Sequence, residues 1–323
     1  MNFTAFWKKT PIVIVRFGIG VIPIVWIFRS IDWPRMWQAV HAIAWWTAPL
    51  LFCTIISSML LQGIRWWMLM TPFSPSLSFY KSMRAHFLGL YYSIILPTSA
   101  AQDAVRAGIL SKEAGYSLSW ASTWVSRLIG LFVLALMSLY GLFGINRSML
   151  PPLVIQSALA AFLGIAALLL LSFSKRFTAP MRSALGKFVP KKIMEVTENI
   201  RESVFKYRGR WKELFWVFMV TLALQLIITV GAAIVILGIS GRFLFFESLL
   251  YLPIIEVLCM SIPVTPNGIG LREGMLALMF KQVGLTTEHL AIFIVLGYFS
   301  ISLKLLGGLP LAVEALTRTK RNK

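Results

Sequence analysis

Two short polar stretches, each at the end of a long apolar run, repeat the same residues at the same spacing. The first extends from Leu96 to Gly108 and the second from Ile262 to Gly274. The shared residues are Pro97, Arg106 and Gly108 in the first stretch and, 166 residues later, Pro263, Arg272 and Gly274 in the second. A guanidinium group binds two phosphate oxygens at once and keeps its charge when desolvated. The paired arginines therefore suggest recognition of a phosphate, which we expect to be part of a lipid headgroup.

The residues around each arginine favour a helix that reverses its direction. Proline ends or kinks a helix because it has no backbone N–H to donate. Residues that permit a tight turn follow in both stretches: Ser99 and Ala100 in the first, and Pro266, Asn267, Gly268 and Gly270 in the second. A half-helix that begins after such a turn presents unpaired N–H groups and a positive dipole end, which attract anions. We therefore predict two helical hairpins that hold Arg106 and Arg272 in their second arms.

Carboxylates and a further arginine complete the candidate headgroup site. Asp103 lies three residues before Arg106, so a local ion pair along the helix is an alternative to ligand binding. Glu273 is adjacent to Arg272 and points to another side of a helix, so it is free to meet Arg106 or Arg127 across the repeat. Both pairings stay hypotheses at this point.

Glu256 lies in an otherwise apolar run, where a carboxylate is unfavourable unless it is paired or protonated. Two interpretations are open. Glu256 is either a proton-coupling group or the ion-pair partner of Arg16, Arg127 or Lys304, and the second interpretation is favoured.

The composition excludes an ordinary soluble domain. Of 323 residues, 58% are hydrophobic and only 13% are charged, whereas soluble proteins carry roughly 25% charged residues. Six stretches are long enough to cross a bilayer. They are Pro11 to Phe28, Ala42 to Ile64, Leu118 to Ile145, Leu150 to Ser174, Leu214 to Gly241 and His289 to Val313. The fold class is therefore all-α, a polytopic membrane helix bundle.

The net charge of +19 indicates topology rather than nucleic-acid binding. Eleven of the basic residues lie between Lys175 and Lys212, and four more lie in the last six positions. Short basic flanks remain on the cytoplasmic side, so we expect both termini and this segment in the cytoplasm and the protein in the cytoplasmic (inner) membrane. Such a segment also attracts anionic lipids. Its helical part is expected either to lie on the membrane by an apolar side that includes Ile200 and Val204, or to form a solvated linker.

This charge pattern divides the chain into two membrane halves, residues 1–174 and 213–323, joined by residues 175–212. Hairpin 85–110 would then enter from the cytoplasm and hairpin 243–284 from the outside. Opposite directions of insertion are typical of an inverted-topology repeat, which forms its binding site near the membrane midplane.

Signals for a cofactor are absent from the sequence. The histidines His41, His86 and His289 lack metal-ligand spacing. There is no P-loop, and Gly268 and Gly270 lack the strand context of a dinucleotide site. We expect no metal, no other cofactor and no enzymatic activity.

Four stretches resemble the flippase-like transmembrane domain of bacterial lysylphosphatidylglycerol synthases. They are RWWMLM from Arg65, LPTSAAQDAVRAGIL from Leu96, WVSRLIGL from Trp124 and IPVTPNGIGLREG from Ile262. The resemblance implies movement of a lipid or lipid-linked headgroup between leaflets. In the first hairpin, Ser99 to Gln102 replace the family's glycines, and Asn267 stands where the family usually has glycine. The synthases also carry a soluble aminoacyl-transferase domain, and so few residues follow the last crossing that we do not expect lipid aminoacylation.

Two other functions remain open. A membrane glycosyltransferase that uses a polyprenyl-phosphate donor needs an acidic residue in an early external loop, where Asp32 lies. An accessory subunit would instead recruit a separately encoded lipid-modifying enzyme. We expect membrane lipids to be the main partners in each case.

Overall fold

The computed structural model describes residues 10–95, 101–145, 152–173, 191–261 and 268–309. Within these ranges twelve α-helices form, and the elements contain no β-strand. The first six helices are α1 (Thr10–Arg29), α2 (Trp33–His41), α3 (Thr47–Met70), α4 (Phe79–Ile95), α5 (Ala101–Ala114) and α6 (Tyr116–Gly141). The other six are α7 (Pro152–Ser172), α8 (Lys191–Lys206), α9 (Trp211–Ser240), α10 (Phe245–Ser261), α11 (Leu271–Gln282) and α12 (Thr287–Lys304).

Five helices are long and apolar enough to cross a membrane, which confirms the polytopic all-α fold. They are α3, α6, α7, α9 and α12, the last extended by a short 3₁₀ turn to Gly308. Each coincides within a few residues with an expected crossing. The remaining expected crossing corresponds to α1, a helix of 20 residues, and its passage through the membrane stays a prediction.

Both expected hairpins consist of two packed helices. Helix α4 packs against α5, and α10 packs against α11. The first arms α4 and α10 are both 17 residues long and begin 166 residues apart. Ser82 and Ser248, which are related by the same offset, are both completely buried. The first hairpin begins at Phe79, earlier than its predicted start, because the helix continues through the polar residues before Ala85. The turns at 96–100 and 262–267, with Pro97, Pro263, Pro266 and Asn267, lie outside the described residues.

Helices α3 and α9 pack against each other in opposite directions. Thr47 near the start of α3 lies against Gly238 near the end of α9, and Thr54 lies against Gly231. The backbone N–H of Ala44 also donates a hydrogen bond to the carbonyl of Gly238 over 3.0 Å. Residues near the start of α3 thus contact residues near the end of α9, so the two helices are antiparallel.

Each half also places a glycine against the first hairpin arm of the other half. A Cβ atom on Gly141 would lie 2.6 Å from the backbone nitrogen of Leu250 in α10. A Cβ atom on Gly307 would lie 2.2 Å from the carbonyl oxygen of Phe87 in α4. Gly141 and Gly307 are again 166 residues apart. The same backbone contact between halves is therefore made twice.

Helix α8, the described part of the basic segment, packs within the helix bundle. It lies against α6, and Val204 joins a buried cluster that includes Val125 and Ile129. The Tyr207 hydroxyl, just after α8, donates a hydrogen bond of 2.8 Å to the Leu69 carbonyl near the end of α3. Burial raises the pKa of this hydroxyl. Val204, part of the apolar side predicted to face lipid, is thus used for packing within the protein.

Candidate functional site

Asp103, in the first turn of α5, joins two arginines that come from different helices. One carboxylate oxygen lies 2.7 Å from Nη2 of Arg106, one turn further along α5. The other lies 2.5 Å from Nε of Arg127 on α6. The local ion pair considered as an alternative for Asp103 and Arg106 therefore exists, and Arg127 extends it across a helix contact.

Arg106 is held inside the protein. Its side chain is only 3% exposed, and its guanidinium carbon lies 4.6 Å from the ring centroid of Trp66 on α3. A desolvated cation over an indole face is stabilised by the ring quadrupole. Nε of Arg106 is buried and has no hydrogen-bond partner among the described residues. Packing against Trp66 and the pair with Asp103 hold the guanidinium group in place.

A third arginine, Arg65 on α3, lies beside this pair. It is close enough to Arg106 and Asp103 to interact electrostatically with both. One terminal nitrogen lies against Gly130 of α6, 3.3 Å from where a Cβ atom would be. Its Nε is also buried, with no hydrogen-bond partner in the part of the chain that the structure describes. We refer to Arg65, Asp103, Arg106 and Arg127 as the arginine cluster.

Sequence reasoning did not include Arg65 among the site residues. Arg65 directly follows the uncharged stretch Ala42 to Ile64. A basic residue at such a position usually indicates the cytoplasmic end of a crossing. The structure extends α3 to Met70, which places Arg65 inside the helix. The neighbouring Trp66 could have identified Arg65 as a site residue. A Trp ring next to an arginine at the end of a crossing can bind a second, buried arginine through a cation–π contact.

The arginine cluster carries three positive groups and one carboxylate, an excess of two positive charges among these four residues. Uncompensated charge away from water is strongly unfavourable. His86 on α4 is fully buried beside the cluster, and its Nε2 is bonded to the Met59 carbonyl at 3.0 Å. Among the described residues there is no group of His, Cys, Asp and Glu that could hold a metal ion. This arrangement can therefore stabilise an anion.

A second group of charges surrounds the other hairpin. Arg272, the second residue of α11, is exposed, and it interacts electrostatically with Lys304 of α12, as does the half-buried Glu256 of α10. The adjacent Glu273 is 7% exposed and accepts a 2.5 Å hydrogen bond from the N–H of Gly270, which caps its own helix. We refer to Arg272, Lys304, Glu256 and Glu273 as the second cluster, which has two basic and two acidic residues.

Two sequence hypotheses concern these carboxylates. Glu256 interacts electrostatically with Lys304, one of the partners considered for it, and the choice between ion pair and proton coupling stays a prediction. Asp103, rather than Glu273, bridges Arg106 and Arg127. Glu273 has a different position because the N–H group of Gly270 at the start of α11 is within its reach.

The glycines of the hairpins have different roles. Gly268 and Gly270 have φ angles of 73° and 84°, which residues with a side chain rarely adopt, so the second turn requires them. Gly274 lies against Pro23 of α1, where a Cβ atom would approach to 3.1 Å. Gly108 was predicted to shape the hairpin, but it is exposed in mid-helix with no heavy atom within 4 Å of an added Cβ. Among the described residues neither crowding nor backbone conformation requires glycine at this position, so its role in the hairpin stays a prediction.

Residues 13–306 match the family model described as the lysylphosphatidylglycerol synthase TM region. The chain belongs to this family. The match includes both hairpins and all residues of the two clusters, and it agrees with the resemblance carried by the sequence motifs. Neither the comparison with curated proteins nor that with solved structures gave a match.

Membership of the lysylphosphatidylglycerol synthase TM family, together with the five apolar helices, makes the protein a multi-pass membrane protein with a lipid-related function. Asp32, on which the glycosyltransferase alternative depends, has a structural role. Its carboxylate caps α2 through the Arg35 N–H and pairs with Arg35 Nε at 3.2 Å. The structure gives no observation in favour of that alternative.

Proposed function

We propose that this protein moves an anionic phospholipid or lipid-linked headgroup between the leaflets of the cytoplasmic membrane. The observation that carries the proposal is the arginine cluster, where one carboxylate faces three guanidinium groups. A lipid phosphate is an anion that three neighbouring guanidinium groups attract, and its oxygens match the planar donors of arginine. Membership of a lipid-related membrane family supports the same conclusion.

We further propose that the two halves form an inverted repeat. The antiparallel packing of α3 with α9 supports this arrangement, since a two-fold axis in the membrane plane relates helices of opposite direction. The equivalent glycine contacts at Gly141 and Gly307 support it independently. Each hairpin would then offer its arginine to a headgroup from one side of the membrane.

Lipid exchange should depend on both hairpin arginines. Purified protein in liposomes is expected to accelerate leaflet exchange of fluorescent anionic phospholipids, measured by dithionite quenching of the outer leaflet. Arg106→Gln and Arg272→Gln should each slow exchange by about tenfold or more, because a charge-assisted hydrogen bond contributes about 1.5–3 kcal/mol. Arg106→Lys keeps the charge but loses the planar fork, and it should also be slow.

The matched control is Lys112→Gln, which removes an exposed charge from the same helix as Arg106. It should leave exchange unchanged. Each variant must elute as a monodisperse species, so that slow exchange is not confused with misfolding. Wild-type rates in both arginine variants would contradict the assigned roles, and an inactive wild type would contradict the proposal as a whole.

Cysteine labelling should detect opposite faces for the two hairpin turns. In a background where Cys53 and Cys259 are replaced by alanine, Ser99→Cys is expected to react with a membrane-impermeant maleimide from the cytoplasmic side. Asn267→Cys should react from the external side, because an inverted repeat opens its hairpins in opposite directions. The cysteine-free background measures unspecific labelling. Reaction of both cysteines from the same side would rule out the inverted repeat.

A further inference from the structure

We propose that α2 is an interfacial helix, which lies along one membrane surface and inserts an apolar side among the lipids of that leaflet. The inserted side consists of Trp33, Trp37 and Val40. The surface is the external one in the topology expected from the charges. This inference concerns how the protein is seated in the bilayer, and it does not depend on whether the protein moves lipids.

Both ends of α2 are tied to the same end of the helix bundle. Just before the helix, the backbone N–H of Asp32 donates a hydrogen bond of 3.3 Å to the carboxylate of Glu288, the second residue of α12. Just after it, the N–H of Ala44 donates to the carbonyl of Gly238 near the end of α9 over 3.0 Å. Both α9 and α12 are long and apolar enough to cross the membrane. A helix of nine residues, about 14 Å long, that joins these points therefore runs across the end of the bundle.

One side of α2 packs on the bundle. The residues of this side are Met36, Ala39 and, just after the helix, Ile43, spaced by three and four positions. They lie against a buried cluster that includes Ile239 of α9 and Ile292 of α12. These contacts fix the rotation of α2 about its axis and hence the direction of its other sides.

The adjoining side of α2 is apolar and exposed. Trp33, Trp37 and Val40 are 61%, 67% and 38% exposed, and their spacing of four and three residues places them on one helix face. The ring of Trp37 meets the ring of His41 edge to face, with the centroids 4.9 Å apart. Two large indole rings are thus presented outward by a helix whose orientation is fixed.

The third side of α2 is polar. Arg35 and Gln38 are exposed there, and Arg35 pairs with Asp32. At 3.6 residues per turn, the packed, apolar and polar sides follow one another around the helix without overlap. A helix at the boundary of the bilayer needs this division, because it meets protein, lipid and water at once.

Lipid is the occupant that these observations favour for the apolar side. Helix α2 adjoins the ends of α9 and α12, so its exposed side continues the surface that those helices present to the bilayer. Trp is enriched at this level of a membrane, because its ring is apolar and its N–H reaches the polar headgroups. Trp45, which lies just before α3 and is 85% exposed, adds a third indole at the same end of the bundle.

Spin labels on α2 offer a direct test in nanodiscs of phosphatidylcholine and phosphatidylglycerol that hold one copy of the protein. In a background where Cys53 and Cys259 are replaced by alanine, a nitroxide is attached at Trp37→Cys or, as the matched control on the polar side, at Gln38→Cys. Electron paramagnetic resonance measures collisions with oxygen, which concentrates in lipid, and with a water-soluble nickel chelate. The label at position 37 should collide mainly with oxygen, at a depth of about 5–10 Å in the boundary between headgroups and acyl chains. The label at position 38 should collide mainly with the chelate.

A second position on the apolar side separates insertion of the helix from a local effect of replacing Trp37. Val40→Cys should show the same preference for oxygen, and each variant must elute as a monodisperse species. Collision mainly with the chelate at both positions would place this side in water and overturn the proposal. Protection from both reagents would mean that another part of the chain covers this side, which would overturn it as well.

The same labels in densely loaded proteoliposomes test a second copy of the chain as the occupant. Contact with oxygen is expected to persist there. Its loss, together with spin–spin broadening between labels at position 37, would assign the apolar side to a dimer and overturn lipid as its partner. The measurement does not involve lipid exchange, so its failure is distinct from a failure of the proposed translocation.

Discussion

Asp103→Asn is expected to reduce the stability of the folded protein by about 3–5 kcal/mol, as is typical when one partner of a buried ion pair is removed. The carboxylate bridges Arg106 and Arg127, and its loss would remove the negative charge that both guanidinium groups contact. The measurement is the fraction of detergent-solubilised protein that stays monodisperse after heating, supported by denaturant unfolding.

Two further variants make this result specific. Glu113→Gln removes an exposed carboxylate from the same helix, where it pairs with Lys81 at 3.1 Å, and should change stability by about 1 kcal/mol or less. The double variant Asp103→Asn with Arg127→Gln should recover part of the loss, because it also removes one of the two positive charges that the carboxylate contacts. Strict additivity of the two substitutions would contradict a shared ion-pair network.

Gly141→Ala and Gly307→Ala are each expected to destabilise the protein by about 1–3 kcal/mol, the usual effect of overpacking. The new Cβ atom would lie 2.6 Å from backbone in α10 or 2.2 Å from backbone in α4, and a backbone cannot move aside as a flexible side chain can. Thermal unfolding in detergent is a suitable measurement.

Gly164→Ala on α7 is the control, since no heavy atom lies within 4 Å of its added Cβ. It should be neutral or slightly stabilising, because alanine favours a helix over glycine by up to about 1 kcal/mol. A loss at only one of Gly141 and Gly307 would argue against equivalent contacts between the halves. Comparable losses at both would support the repeat.

The sequence was a good guide to the helices. Five expected crossings coincide with apolar helices, and the two helices of each expected hairpin pack against each other. The pair of Asp103 and Arg106 was also foreseeable, since residues three apart share one helix face. These features are local, and they depend on the length of an apolar run or on helical spacing.

Other features could not be predicted from the sequence because they depend on packing. The apolar side of α8 is compatible with a membrane surface, yet Val204 packs among apolar residues of the bundle. Gly108 recurs as Gly274, but only Gly274 lies against another helix, at Pro23. The sequence of a helix such as α8 is the same whether its apolar side contacts lipid or protein. The sequence around a glycine likewise does not show whether another helix packs against it.

The sequence by itself determined that the chain is a helical membrane protein with two related hairpins, because apolar length and charge position are properties of contiguous residues. Only the tertiary structure decided which charges share a site. It brought Arg65 and Trp66 from α3 and Arg127 from α6 to Asp103 and Arg106 on α5. The physical reason is that three helices must pack at defined rotations before these side chains meet, and the rotation of each helix is set by its contacts with the others.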